Sequence, residues 1–243
     1  MKKINNQLFL GLTAVCGLLA FVMRRVMMDT GIDSKGLLTD GNPLAIGLWV
    51  VSIVYLAVLA LGLKKLGANG TFRDNFPPCK IRFGLSAIGG ALLIAESVQQ
   101  VLASQLLAGG FGAAAGVCMI AAGSCRLSEK HPSPLFHCVV CVFYIIRLIL
   151  SFQCWSADPQ LQDYALQLLA LVCLMLFAFH RASCDANVIN RKRTVFFGLA
   201  AAYFCLASLS DETMPVLFLS GGAWSVGAGC SLDTLAEPEE VDT

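Results

Sequence analysis

Long runs of apolar residues alternate with short polar or glycine-containing segments along the chain. A helix of about 18 or more apolar residues is long enough to cross the roughly 30 Å hydrocarbon core of a bilayer. The pattern therefore predicts an all-α, polytopic membrane helix bundle with about eight transmembrane helices. The predicted spans lie near residues 6–26, 43–63, 81–103, 105–124, 134–155, 159–181, 194–210 and 213–231.

Local chemistry supports several of these boundaries. Asn42-Pro43, Ser133-Pro134 and Asp158-Pro159 each place a helix-capping residue before a proline, which is favoured at the first position of a helix. Ser104 and Gln105 mark the predicted turn between the third and fourth spans. The last hairpin has an alternative: if 213–231 lies on the membrane surface, the chain has seven spans and an external C-terminus.

Composition agrees with a membrane location. The chain is 57% hydrophobic and 14% charged, whereas an ordinary soluble domain is about a quarter charged. The net charge of +1 gives no reason to expect nucleic acid as a partner. We expect one transmembrane domain over residues 1–232, surrounded by the lipid bilayer, followed by an acidic disordered tail at 233–243.

The distribution of Lys and Arg predicts the orientation, because cytoplasmic loops of membrane proteins are enriched in these residues. One side of the predicted bundle carries only Arg24, Arg25 and Lys35. The other side carries Lys2, Lys3, Lys64, Lys65, Arg73, Lys80, Arg82, Arg126, Lys130, Arg181, Arg191, Lys192 and Arg193. We therefore expect both termini in the cytoplasm and a multi-pass protein of the plasma membrane.

Sequence signatures of catalysis are weak. Cys138 and Cys141 form a C-x-x-C pair, which either belongs to a thiol–disulfide site or simply packs in the apolar core. The three histidines, His131, His137 and His180, are dispersed and lack metal-ligand spacing. P-loop, nucleophile-elbow and dinucleotide-binding motifs do not occur. We expect no catalytic residues, no metal and no cofactor.

Small residues recur at helical spacing in three predicted spans. Small residues four positions apart allow helix backbones to approach closely. These faces either pack within the chain or bind a second copy or another membrane protein. The residues are Gly112 and Gly116 in the fourth span, Gly198 in the seventh, and Gly221, Ser225 and Gly229 in the eighth.

Two charged residues fall inside predicted spans, Glu96 in the third and Arg147 in the fifth. A charge inside a membrane costs about 2.5–3.5 kcal/mol on insertion scales, and such residues face a partner or a wet cavity. Each lies eight residues before the predicted outer end of its span, which is about 12 Å of helix at 1.5 Å per residue. Equal depth predicts an ion pair between the two helices.

Further polar side chains fall at similar predicted depth, in the third, fifth, sixth and seventh spans. Together with the predicted ion pair they would form an outward-facing intramembrane polar cluster. This cluster is either a structural ion pair that fixes helix packing or a ligand and ion site open to the outside. Its additional members are Gln100, Tyr144, Ser151, Asp163, Gln167 and Tyr203.

Two segments carry a family resemblance. GIDSKGLLTDGNP (31–43), and SADPQLQDYALQLLALVCLMLFAFHRA (156–182) with the basic residues 191–193 after it, resemble a family of small, uncharacterised multi-pass bacterial membrane proteins. The resemblance implies a multi-pass fold and supplies no catalytic residues.

The function expected from the sequence is that of a non-enzymatic membrane component, either an interaction partner or a sensor. The alternative is a small-solute or ion transporter that uses Glu96 and Arg147. A membrane-embedded enzyme ranks third. A transporter should contain helices broken near the middle of the membrane, but residues 91–103 of the third span contain neither glycine nor proline.

Overall fold

The computed structural model describes residues 6–30, 42–64, 79–155, 164–188, 190–210 and 214–227. These residues form eight α-helices and no strands. The helices are α1 (Asn6–Thr30), α2 (Pro43–Leu63), α3 (Lys80–Leu102), α4 (Leu106–Leu127), α5 (Pro134–Trp155), α6 (Ala165–Asp185), α7 (Arg191–Ser208) and α8 (Pro215–Val226). Each corresponds to one predicted span.

Polar residues at the helix termini act as the sequence predicts. The Asn42 side chain accepts a hydrogen bond from the Leu44 amide at 3.0 Å at the start of α2. Ser133 Oγ accepts from the Leu135 amide at 3.4 Å before α5. Ser104, between α3 and α4, has a positive φ of 64°, which confirms the predicted turn there. The predicted cap at Asp158 and the tail at 233–243 lie outside the described residues.

Several helices extend beyond the predicted spans. α1 continues to Thr30 rather than ending near residue 26, α4 continues to Leu127 rather than 124, and α6 continues to Asp185 rather than 181. Buried basic or acidic side chains lie in these extensions or close to them, including Arg126 and Asp185. Contacts within the protein therefore allow the helices to continue past the ends of their apolar runs.

Six of the described helices, α1 to α6, are long and apolar enough to cross a membrane. The protein is therefore a membrane-embedded, multi-pass helical bundle. α7 begins with three basic residues, and every residue from 198 to 205 is buried. α8 has 12 residues, which gives a length of about 18 Å. These two helices are covered mainly by protein rather than by lipid.

Helices α3 to α8 close a ring in which each helix packs against the next and α8 returns to α3. The α1–α2 hairpin packs outside this ring, where α1 lies against α7. Trp224 of α8 fills the interior, with its ring centroid 4.6 Å from that of Phe177 and 6.4 Å from that of Tyr144. The core of the ring is therefore aromatic.

Helices α3 and α4 approach each other closely at a pair of glycines. A Cβ atom built on Gly90 would lie 2.6 Å from the Gly116 carbonyl oxygen, and one built on Gly116 would lie 2.7 Å from the Gly90 oxygen. Real Cβ atoms do not approach other atoms this closely. The two glycines thus allow direct backbone contact between these helices, as small residues do in membrane helix pairs generally.

Candidate functional site

Glu96 and Arg147 meet in the interior of the ring. Arg147 Nη2 of α5 donates to Glu96 Oε1 of α3 at 3.3 Å. Both residues are more than nine-tenths buried, with 8% of Glu96 and 5% of Arg147 exposed. A pair of opposite charges at this burial is strongly coupled, because removing one partner leaves the other charge uncompensated.

Two further side chains complete this ion pair. Gln100 Nε2, one helical turn along α3, donates to Glu96 Oε1 at 2.7 Å. Arg147 Nη2 also contacts Met214 Sδ at 2.9 Å, immediately before α8. The pair therefore connects α3 and α5 to the beginning of α8. We call Glu96, Gln100, Arg147 and Met214 the Glu96 cluster.

The Glu96 cluster contains acceptor atoms that are not used. Glu96 Oε2 and Gln100 Oε1 are buried, and neither has a hydrogen-bond partner among the described residues. Leaving a buried acceptor without a partner costs about 1–3 kcal/mol. These two oxygens are therefore the atoms of the cluster that are open to a proton, a water molecule or a ligand.

The other predicted members of the polar cluster have different positions. Ser151 is buried on the same face of α5 as Arg147, one turn further along. Tyr144 is fully buried, and its hydroxyl has no hydrogen-bond partner among the described residues. Gln167 is fully buried in α6. Asp163 lies outside the described residues.

Tyr203 belongs to a separate network that holds α2 against α7. Its hydroxyl shares a 2.8 Å hydrogen bond with Ser52, and its ring stacks on that of Tyr55 with centroids 4.4 Å apart. The Tyr55 hydroxyl contacts Thr13 Oγ1 of α1 at 2.9 Å and donates to the Leu199 carbonyl at 3.2 Å. The hydrogen bonds of this network therefore join Tyr203 to the α1–α2 hairpin.

A second buried ionic group, which the sequence pattern does not predict, lies at the other end of the ring. Asp185, at the end of α6, accepts a hydrogen bond from Arg126 Nη2 through Oδ1. Its second carboxylate oxygen, Oδ2, lies 2.6 Å from His137 Nδ1 near the start of α5. All three residues are buried. We call Arg126, His137 and Asp185 the Asp185 cluster.

The Asp185 cluster was missed because Arg126 and Asp185 fall just outside the predicted spans at 105–124 and 159–181. The apolar pattern places both residues in loops, and it gives no partner for His137. One signal was present: His137 lies seven residues before Tyr144, which places both on the same face of a helix. In the structure the His137 and Tyr144 rings both stack on Trp224.

The predicted small-residue faces are occupied within the chain. Gly116 faces Gly90, Gly112 faces Ser97 and Phe143, and a Cβ on Gly221 would lie 2.6 Å from a methyl group of Leu174. Gly198 is buried in α7, and the buried Ser225 hydroxyl donates to the Gly222 carbonyl at 3.0 Å. Gly229 lies outside the described residues. At the five described positions, these faces leave no room for a partner helix.

The thiols and histidines do not converge in the described part of the chain. Cys138 is exposed, whereas Cys141 Sγ lies 3.7 Å from the Met175 carbonyl oxygen, and both thiols are free. His180, five residues before Asp185 on α6, stacks on Phe197 of α7. Among the described residues, no group of three or more His, Cys, Asp and Glu side chains is placed to hold a metal ion.

Comparison with known proteins adds no relative. No protein-family model matches the chain, and no curated protein or solved structure matches it significantly. The resemblance to a bacterial membrane-protein family therefore stays a prediction.

Proposed function

We propose that the protein is an eight-span component of the plasma membrane with both termini in the cytoplasm. The position of α8 supports this topology. Met214, before α8, contacts Arg147 of the Glu96 cluster, and a Cβ on Gly227, after α8, would lie 3.3 Å from Arg82 near the start of α3. α8 therefore runs from the end of the bundle that contains the Glu96 cluster toward the end that contains Arg82, as a crossing helix does.

A reporter fused after Thr243 tests this topology. A fluorescent protein that folds only in the cytoplasm should be bright, and a phosphatase that is active only outside should be silent. The opposite pattern would mean seven spans and an external C-terminus, and would refute the eight-span proposal.

We further propose that the protein is a non-enzymatic sensor or interaction partner. The single observation that carries this proposal is the Glu96–Arg147 ion pair, which is buried and joins α3, α5 and the start of α8. A ligand or partner that competes for Glu96 or Arg147 would change how α8 is held. The site thus couples a local binding event to the position of a whole helix, which is what a sensor requires.

The test is thermal stabilisation of the purified protein across a panel of metabolites and ions. A ligand that acts through Glu96 should raise the melting temperature of the wild type and lose this effect in Glu96→Gln. Asp29→Asn is the matched control, because Asp29 pairs with Arg25 at the exposed end of α1. An Arg147→Ala variant that folds normally and responds like the wild type would exclude the proposed role.

One observation favours a second candidate, a transporter of a small solute or cation. The unused oxygens Glu96 Oε2 and Gln100 Oε1 are buried acceptors inside the membrane, as expected in an ion or proton pathway. Flux into proteoliposomes that depends on Glu96 would support transport. The unbroken course of α3 through Glu96 to Leu102 favours the sensor, because transporter sites are typically built on interrupted helices.

A further inference from the structure

A small cavity opens beside the Asp185 cluster, between α3, α4, α5 and α6. It has about 10 Å³ in which the centre of a water-sized sphere fits, which is the room needed for about one water molecule. The cavity is not fully enclosed. The lining residues that matter here are Arg82, Ser86, Gly123, Arg126, His137 and Arg181.

The lining is strongly basic. Arg82 comes from α3, Arg126 from α4 and Arg181 from α6, and between 4% and 7% of each is exposed. A guanidinium group carries five N–H donors in a planar fork and stays charged. Asp185, the neighbouring carboxylate, already binds Arg126 and His137. Arginines from three helices therefore line a space that admits one small ligand atom.

The depth of these arginines is that of a lipid headgroup. Arg82 is two residues from the start of α3, and Arg126 is one residue from the end of α4. Arg181 is four residues from the end of α6. At 1.5 Å per residue these positions lie about 2–6 Å inside the helix ends. Phosphate groups of the bilayer occupy this zone, and basic pockets between cytoplasmic helix ends are known lipid headgroup sites.

We propose that this cavity binds a phosphate group, with one phosphate oxygen inserted between Arg82, Arg126 and Arg181. An oxygen atom is about the size of the water molecule that the cavity admits, and planar guanidinium groups bind phosphate oxygens in pairs. The phosphate belongs either to an anionic lipid or to a soluble phosphate compound. The site lies at the opposite end of the ring from the Glu96 cluster and does not depend on the role proposed for that cluster.

His137 extends the same chemistry. Its Nδ1 is engaged by Asp185, so Nε2 is the ring nitrogen left for a ligand. In the protonated ring Nε2 is a donor, and it would add a fourth cationic group to the site. The Asp185 cluster then acts as the support that orients Arg126 and His137 toward the cavity.

The experiment measures thermal stability of the full-length protein under two sets of conditions. In neutral detergent, inorganic phosphate is titrated against chloride at equal ionic strength. In lipid nanodiscs, phosphatidylcholine alone is compared with phosphatidylcholine containing phosphatidylglycerol. A melting temperature that rises with inorganic phosphate indicates a soluble ligand. A melting temperature that rises only with phosphatidylglycerol indicates a lipid headgroup. Either result supports the site, and the absence of both rises would overturn it.

Three variants locate the effect. Arg82→Gln should lower the apparent affinity for phosphate or anionic lipid by about tenfold or more, because a charge-assisted hydrogen bond is lost. Arg193→Gln is the matched control, because Arg193 is exposed at the start of α7 and does not line the cavity. Equal responses in the wild type, Arg82→Gln and Arg193→Gln would show non-specific charge screening and refute the proposal.

Gly123→Ala keeps the test decisive if Arg82→Gln fails to fold. A Cβ on Gly123 would lie 3.2 Å from Phe83 and 3.3 Å from Ser86, both of which line the cavity. The added methyl group leaves every charge in place and takes up space. We expect Gly123→Ala to fold and to respond less to phosphate or anionic lipid. A wild-type response in this variant would place the ligand outside the cavity.

Discussion

Replacement of Gly116 by alanine should destabilise the protein, although alanine is the better helix former. The new Cβ would lie 2.7 Å from the Gly90 carbonyl oxygen and 2.7 Å from Ile94 Cγ1. Ordinary contact begins at 3.4 Å, so α3 and α4 must separate by about 0.7 Å. One of the opposing atoms belongs to the backbone and cannot rotate away. The contact is therefore relieved by moving a helix.

The magnitude follows from two opposing terms. Overpacking a well-packed contact costs about 1–3 kcal/mol, and the backbone contact places Gly116→Ala toward the upper end of that range. Replacing glycine by alanine inside a helix contributes about 0.5–1 kcal/mol of stability. The net loss in free energy of unfolding should be about 1–2 kcal/mol.

Gly110→Ala is the matched control on the same helix. A Cβ at Gly110 meets nothing within 4 Å, so only the gain in helix propensity applies and this variant should be slightly more stable than the wild type. Reversible unfolding in mixed micelles, followed by circular dichroism, measures both changes. Gly116→Ala that is as stable as Gly110→Ala would refute the close-packing argument.

Three further changes test the buried charges and the α3–α4 turn by the same unfolding measurement. Arg147→Met should lower the free energy of unfolding by about 3–5 kcal/mol, because the charge of Glu96 is left uncompensated. Adding Glu96→Gln should recover part of this loss, and the absence of any recovery would contradict the pairing. Asp185→Asn should lower the free energy of unfolding by about 3 kcal/mol. Asp29→Asn, which removes a charge from an exposed ion pair, should lower it by only about 0–1 kcal/mol, and similar losses in the two variants would argue against the Asp185 cluster. Ser104→Gly should stabilise by about 0.5–1 kcal/mol because φ is 64° there, and a loss would contradict the strain.

The fold could be predicted from the sequence because membrane insertion imposes a simple rule on length and polarity. α2 shows this most clearly: Asn42-Pro43 gives its start, and the apolar run gives its end at Leu63. The proximity of Glu96 and Arg147 was also predictable, since each charge needs a partner in the membrane and the helix rise fixes the depth of both.

Depth alone could not predict which residues join the Glu96 cluster. Tyr203 lies in α7 at a comparable predicted depth, yet it bonds to Ser52 of α2. The neighbour of a side chain depends on how each helix is rotated about its axis. That rotation is set by packing, and the apolar surface of a membrane helix carries little information about it.

The Asp185 cluster was unpredictable for a different reason. Hydrophobic runs locate the parts of helices that contact lipid. They underestimate the length of a helix that continues past its apolar run because contacts within the protein support it. Arg126 and Asp185 lie past the apolar runs of α4 and α6, where sequence analysis places loops. Their mutual contact satisfies both charges, so the helices continue. Charge pairs at helix ends become visible only when the tertiary neighbours are known.

The short, largely protein-covered α7–α8 hairpin has a consequence for biosynthesis. α1 to α6 are each long and apolar enough to cross a membrane, whereas α7 is not among these helices and α8 is apolar but has only 12 residues. The buried hydroxyls of Ser208 and Ser220 and the basic start of α7 make lipid a poor first environment for this hairpin. We expect it to enter last, as a unit, when α3 and α6 already offer a surface to receive it. Maturation of the protein is then a docking step that follows translation, and a chain arrested before it would be inserted but not yet folded.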